Sequence, residues 1–198
     1  MAFLSASKRL SLRTAAGCLL AVLTLILSAC AGIHMVKQDV KPPLAAKPGK
    51  AVLVIMRTAS FYGDSDIKNY LDGKYIGGNK DNCYFMTDVK PGTHYLTADG
   101  GNKDTVRMKF EAGRIYFLRQ GVGPGVFRST TQYFPMTLQD ALHEAQAIDY
   151  VVYDTRHPGN NLSPQEYQAE KKDYEEEVKK DPSHRRDVAQ YKGFDRVK

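Results

Sequence analysis

Gly77-Gly78-Asn79-Lys80-Asp81 recurs without change as Gly100-Gly101-Asn102-Lys103-Asp104, and this repeat is the least ordinary polar feature of the chain. Gly, Asn and Asp are good turn formers, so two polar turns are one reading. A second is a shared binding surface for protein or glycan. It would use Asn79, Lys80, Asp81, Asn102, Lys103 and Asp104, with Asp64 and Asp66 from the acidic stretch after Ser60. A third is a cation site built from Asp64, Asp66, Asp81 and Asp104. The interleaved Lys80 and Lys103 oppose it, and a calcium loop carries denser Asp and Asn spacing.

Other residues able to do chemistry are poorly arranged. His143-Glu144 has no second His at the spacing of a zinc-binding helix, and His34, His157 and His184 fall in terminal extensions. His94 sits in a strand whose alternation leaves its facing open. Gly121-Val122-Gly123-Pro124-Gly125 lacks the Lys-Ser/Thr and helix of a phosphate loop and reads as a flexible turn. No Gly-x-Ser-x-Gly elbow occurs, and no carboxylate pair stands out. A small periplasmic hydrolase using His94 or a carboxylate is an alternative, but no nucleophile, base and orienter form a set. No catalytic residue, cofactor or metal is expected. A glycan or peptidoglycan binder would use exposed aromatics among the loops, for which Phe61, Tyr62 and Phe127 are available.

The elements that must carry these residues begin with a leader. Residues 1–29 hold a basic start (Lys8, Arg9, Arg13), an apolar run from Ala15 to Leu27, and small residues before Cys30. The run is short of the ~20 residues a spanning helix needs, which marks a signal peptide. Leu27-Ser28-Ala29-Cys30 matches the bacterial lipobox, so cleavage before Cys30 and acylation of its thiol are expected. Several acyl chains hold a protein to a bilayer far better than one, at ~0.8 kcal/mol per buried methylene. Ala31, in place of an Asp, directs the expectation to the periplasmic leaflet of the outer membrane. Cys18 leaves with the leader and Cys30 is acylated, so Cys83 alone remains and packs as a small buried hydrophobe.

The formal charge of +6 over 198 residues includes the three leader bases, without which 25 bases face 22 acids. A nucleic-acid partner is therefore not expected. With 42% hydrophobic and 25% charged residues, the chain suits one globular domain with extensions.

Residues 30–49 carry Pro42-Pro43 and Pro48-Gly49 and read as a flexible tether. Twenty such residues span at most about 66 Å. Over residues 50–154 short apolar segments alternate with turn signals. This predicts a small antiparallel β-sandwich of about seven to eight strands, an all-β fold. Ala51 to Met56 reads as a central strand buried on both faces. Ile67 to Leu71, Asp72-Gly73 and Lys74 to Gly77 form a tight hairpin. Cys83 to Val89 pairs with Thr93 to Ala98, Thr105 to Phe110 with Arg114 to Gln120, and Val126 to Phe134 is a last strand. Thr137 to Asp140 resembles a capping box for a short helix near 137–147, with Leu138, Ala141, Leu142 and Ala145 on one face, and Ile148 to Tyr153 could close an edge. Residues 155–198 read as a charged tail whose helix starts at Ser163-Pro164-Gln165-Glu166, runs to Lys180 and is followed by a frayed end. Tyr167, Tyr174 and Val178 form a narrow apolar stripe on it.

Lys50 to Arg57, Leu71-Asp72-Gly73-Lys74-Tyr75-Ile76-Gly77, Val89-Lys90-Pro91-Gly92-Thr93-His94 and Phe110-Glu111-Ala112-Gly113-Arg114-Ile115-Tyr116-Phe117 together carry a resemblance. The pattern over residues 50–150 resembles the bacterial lipoprotein family called domain of unknown function 2846, akin to PEGA-type surface modules. That resemblance implies a small β-sandwich on the cell envelope and brings no catalytic residues to transfer.

Strands alternating in direction gather the Ser60–Asp66 loop, both copies of the repeat and the Gly-rich run at one end, and only tight turns at the other. A tether joining the first strand at the tight-turn end would point the polar loops away from the membrane, toward an envelope protein or glycan partner. Asp81 and Asp104 should then share one loop cluster. The functional expectation is a non-enzymatic, lipid-anchored interaction or scaffolding module, bound to the membrane through Cys30. The oligomeric state does not follow from the sequence.

Overall fold

The structure, a computed structural model, describes residues 33–58, 66–123 and 130–195. Ten strands alternate with little else: β1 (Met35–Lys37), β2 (Ala51–Arg57), β3 (Ile67–Leu71), β4 (Lys74–Asn79), β5 (Cys83–Val89), β6 (Gly92–Asp99), β7 (Lys103–Phe110), β8 (Ile115–Gly123), β9 (Thr130–Pro135) and β10 (Asp149–Tyr153). Helices α1 (Leu138–Ala147), α2 (Pro164–Lys180) and α3 (Arg186–Ala189) complete the described chain. The fold is all-β and sandwich-like, with a six-stranded sheet ordered β1-β10-β5-β2-β8-β9 facing a four-stranded sheet ordered β4-β3-β6-β7.

Alternation along β2 explains the two-layered burial. Ala51, Leu53 and Ile55 point into the core between the sheets, with Phe85, Leu96, Val106, Phe110 and Tyr116. Val52, Val54 and Met56 point the other way, into a second cluster with Tyr84, Phe117, Met136, Ala141, Ala145 and Ile148. Helix α1 covers this outer face, its first turn capped by Thr137, whose side chain accepts from the Asp140 N–H. A strand buried on both faces needs a continuous apolar run, which Ala51 to Met56 supplies.

The sandwich is not purely antiparallel. β2 runs parallel to β8, and β10 runs parallel to β5. Ten strands replace seven to eight, and the one expected from Val126 begins at Thr130, with 126–129 outside the described residues. Of the three expected hairpins only β3–β4 forms. β5 and β6 lie in different sheets, as do β7 and β8, so each of these connections crosses between the layers, with β5 paired to β2 and β10, β6 to β3 and β7, and β8 to β2 and β9. Asp72 and Gly73 both take positive φ, 51° and 76°, as the two-residue β3–β4 turn requires. Gly121–Gly123, read from sequence as part of a flexible turn, instead extend β8 and pair with Gln132, Thr131 and Thr130.

Both terminal extensions are folded against the body. Where a tether was expected, β1 pairs antiparallel with β10, and Leu44 and Ala46 pack on the outer cluster beneath α1. Lys41 donates to the Ala145 and Gln146 carbonyls at 2.8 and 2.9 Å, capping the end of α1. At the other extension, Ser163 and Glu166 form the expected capping box of α2. Beyond α2 the chain does not fray, because Val188 is fully buried in the inter-sheet core and Phe194 exchanges two 2.8 Å backbone hydrogen bonds with Ile115. Sparse apolar anchors within a highly charged segment suffice to dock it. Among the described residues no helix is long and apolar enough to cross a membrane.

Candidate functional site

Residue 57 continues the inward alternation of β2, so a charged side chain enters the core at the end of an apolar strand. Arg57 is fully buried and its Nη2 meets Asp81 Oδ1 at 2.7 Å. The neighbouring amide of Asn79 donates to the Ile55 and Cys83 carbonyls, both at 3.3 Å, and accepts from Asn69 Nδ2 at 3.3 Å. Asn69 Oδ1 in turn accepts from Gln120 Nε2 at 2.7 Å and from the Tyr133 hydroxyl at 2.5 Å. The Tyr133 carbonyl then accepts from Arg185 Nη2 at 2.9 Å, and the same nitrogen meets Asp104 Oδ2 at 2.8 Å. A polar line thus crosses the interior from the aspartate of the first repeat to that of the second. Burial pushes the Tyr133 hydroxyl well above its ordinary pKa, so it stays a donor.

The two copies of the repeat do different structural work. In the first, Gly77 to Asn79 end strand β4, Asn79 is fully buried, and Lys80 lies in the following turn. In the second, Gly100 to Asn102 are the turn and Lys103 and Asp104 begin β7. Register places both at one end of the four-stranded sheet, since Ile67 faces Asn79 and Lys68 faces Asp99. They nevertheless belong to its opposite edge strands, three strand spacings or roughly 14 Å apart. Asp81 and Asp104 therefore do not meet around one cation, and each is engaged by an arginine.

Of the remaining candidates, Asp66 lies 3.8 Å from Lys80, and Lys103 lies 4.0 Å from Glu166 of α2. Asp64, Phe61, Tyr62 and Phe127 lie outside the described residues. His94 has Nδ1 at 2.5 Å from Asp72 and Nε2 at 2.9 Å from the Lys90 carbonyl. Both ring nitrogens are thus engaged within the β5–β6 and β3–β4 turn region rather than turned toward open space. Cys83 is a buried free thiol, and burial raises its pKa.

Helix α2 crosses the outer face of the four-stranded sheet. Tyr174 packs edge-on to Tyr95, Glu175 accepts the Tyr95 hydroxyl at 2.7 Å, and Glu170 accepts from Thr105 at 3.5 Å. Between the β6–β7 turn and α2 lies a groove of about 380 Å³ lined by Asp99, Lys103, Asp104, Glu170, Asp173 and Glu177 among others. Burial pushes the Asp104 and Glu170 carboxyls up, in Asp104 against the pull of Arg185. With its excess of carboxylates, the groove suits a cationic group better than an anionic one.

Sequence reading did not single out Arg57, Asn69, Tyr133 or Arg185. Only Arg57 carried a signal, as a cation prolonging the inward alternation of an otherwise apolar strand. The chain also joins the sandwich differently from the expected route, through β1 at a sheet edge. A side chain at Gly78 would collide with Ile33, so the first repeat is adjacent to the incoming chain.

The chain is similar to an uncharacterized protein of Haemophilus influenzae, with 34% identity over 110 residues. The match takes in 52% of this chain and 64% of that protein, less than two thirds of its length. No family model and no solved structure matches the chain.

Proposed function

We propose that the chain is a bacterial envelope lipoprotein, cleaved before Cys30, acylated there, and held in the periplasmic leaflet of the outer membrane as a non-catalytic interaction module. One observation carries this reading: Leu27-Ser28-Ala29-Cys30 follows a basic start and a short apolar run in the order that lipoprotein processing requires. Binding is favoured over hydrolysis because the candidate ionisable groups already hold the fold. Asp81 serves Arg57, Asp104 serves Arg185, and His94 bridges Asp72 and the Lys90 carbonyl. The groove beside Asn102, Lys103 and Asp104 is the surface we assign to an envelope protein partner.

The test compares the full chain with Cys30→Ala in membrane fractions washed with carbonate, together with intact mass. The anchored reading expects the variant in the soluble fraction and still folded. A variant that stays with the membrane refutes it. A photoreactive residue at Asn102, with a control at Gly73, then reads the partner. Capture of one envelope protein at Asn102 alone supports the module, and equal capture at both positions counts against the groove.

A further inference from the structure

We propose that the β1 edge of the sandwich, Met35 to Val40, lies on the lipid surface, an inference that rests on acylation of Cys30. Only Ala31 and Gly32 separate Cys30 from Ile33, the first of the described residues. Three residue steps of extended chain reach about 10 Å at most. An acyl-anchored Cys30 therefore leaves no room for the sandwich to stand off, and the flank carrying Ile33 faces the headgroups.

That flank is an edge of both sheets. β1 is outermost in the six-stranded sheet and β4 in the four-stranded one, and the two strands touch, with the Met35 side chain beside Gly77. The opposite flank is formed by β9 and β7, which also touch and are joined by α3. Five strand spacings, about 24 Å, separate β1 from β9.

The surface of the β1 flank suits an interface between water and hydrocarbon. Three large hydrophobics stand out as exposed among the described residues: Val36 at 41%, Val40 at 79% and Phe134 at 43%. Two of the three lie within ten residues of Cys30, and both belong to this flank. Lys37, Arg156 and His157 are exposed beside them, each paired with an aspartate (Asp149 or Asp154), so the flank presents apolar tips among polar pairs, as an interface between headgroups and acyl chains requires. A second protein strand is a poorer occupant. Gln38 Nε2 donates to the Val36 and Lys37 carbonyls, both at 3.2 Å, so these carbonyls are already partnered at the edge.

The consequence for the proposed module is orientation. The groove at the second repeat, on the β7 side, faces away from the bilayer, while the first repeat sits close to it.

The chain contains no Trp, so single-tryptophan variants report without background. Full-length V36W, V40W and F134W are acylated in a bacterial host and reconstituted in vesicles of phosphatidylethanolamine and phosphatidylglycerol. One vesicle set carries bromine near the top of the acyl chains. V36W and V40W should lose roughly half their emission in brominated vesicles, because interfacial groups sit about 5–10 Å into the headgroup boundary. F134W should be unchanged. If V40W in acylated, vesicle-bound protein is quenched no more than F134W, the orientation is wrong. If mass shows no acyl chains and the protein does not float with vesicles, the anchored reading fails first and takes this inference with it.

Discussion

Tyr133 donates its hydroxyl to Asn69 across the two sheets at 2.5 Å, and its own carbonyl accepts from Arg185 at 2.9 Å. A core residue of β9 thus joins the polar centre of the sandwich to the segment that follows α2. Tyr133 is also fully buried against the apolar inter-sheet cluster, so packing and hydrogen bonding fix the same side chain.

Asn69→Leu keeps the branched outline of the side chain but leaves the Tyr133 hydroxyl and the Gln120 amide without their acceptor. Each buried orphan costs about 1–3 kcal/mol, so a loss of roughly 2–4 kcal/mol is expected in urea unfolding. Adding Tyr133→Phe should recover part of that loss. A strictly additive double mutant would show that the two residues are not coupled.

Asp81→Asn keeps the shape of the carboxylate and removes its charge beside fully buried Arg57. Breaking a buried ion pair from one side is expected to cost up to about 3–5 kcal/mol. Replacing both residues with apolar ones should be milder than Asp81→Asn alone. Thermal unfolding of the native chain and the two variants checks that order, which a weak surface pair would not produce.

Helix α2 should be pH-sensitive at its start. The Ser163 side chain and backbone hold Glu166 below its ordinary value of 4.5. A carboxyl held low in the fold contributes stability that is present above pH 4.5 and is lost as pH falls through the lowered value. The protection factors of amides at the start of α2, exchange corrected for its intrinsic pH dependence, should therefore fall on acidification in the native chain and hold steady in Glu166→Gln. The same fall in both would assign the effect elsewhere.

Val188→Ala removes two methyl groups from a fully buried site, with an expected loss of about 1–2 kcal/mol. Truncation after Lys180 also removes Tyr191 and Phe194, which pack on the two core clusters. Each large apolar side chain is worth about 1.5–3 kcal/mol when buried, so the shortened chain should melt well below the intact one. An unchanged melting temperature would mean that this segment is dispensable packing.

The strands, the Asp72-Gly73 turn and both capped helices were legible because each rests on local rules of alternation, positive φ or capping. What was not legible depends on distant partners. Met35–Lys37 is too short to show a strand period and becomes one only beside β10. Val188, Tyr191 and Phe194 are isolated among charges, so no periodicity announces that they dock. The parallel β2–β8 pairing has no signature in either strand alone. The repeat misled in a similar way, because identical residues fall at a strand end in one copy and at a strand start in the other.

The paired backbones of Ile115 and Phe194 bear on how the chain matures. β9 reaches only as far as Leu118, so the beginning of β8 has Phe194 as its neighbour on that side. While the polypeptide is being made, that stretch waits for a partner encoded far downstream. Contacts so distant in sequence close late, and an unfilled sheet margin invites pairing with other chains in the interval. Closure of this margin of β8 therefore waits until Phe194 has been made, and it is among the last contacts the sandwich gains.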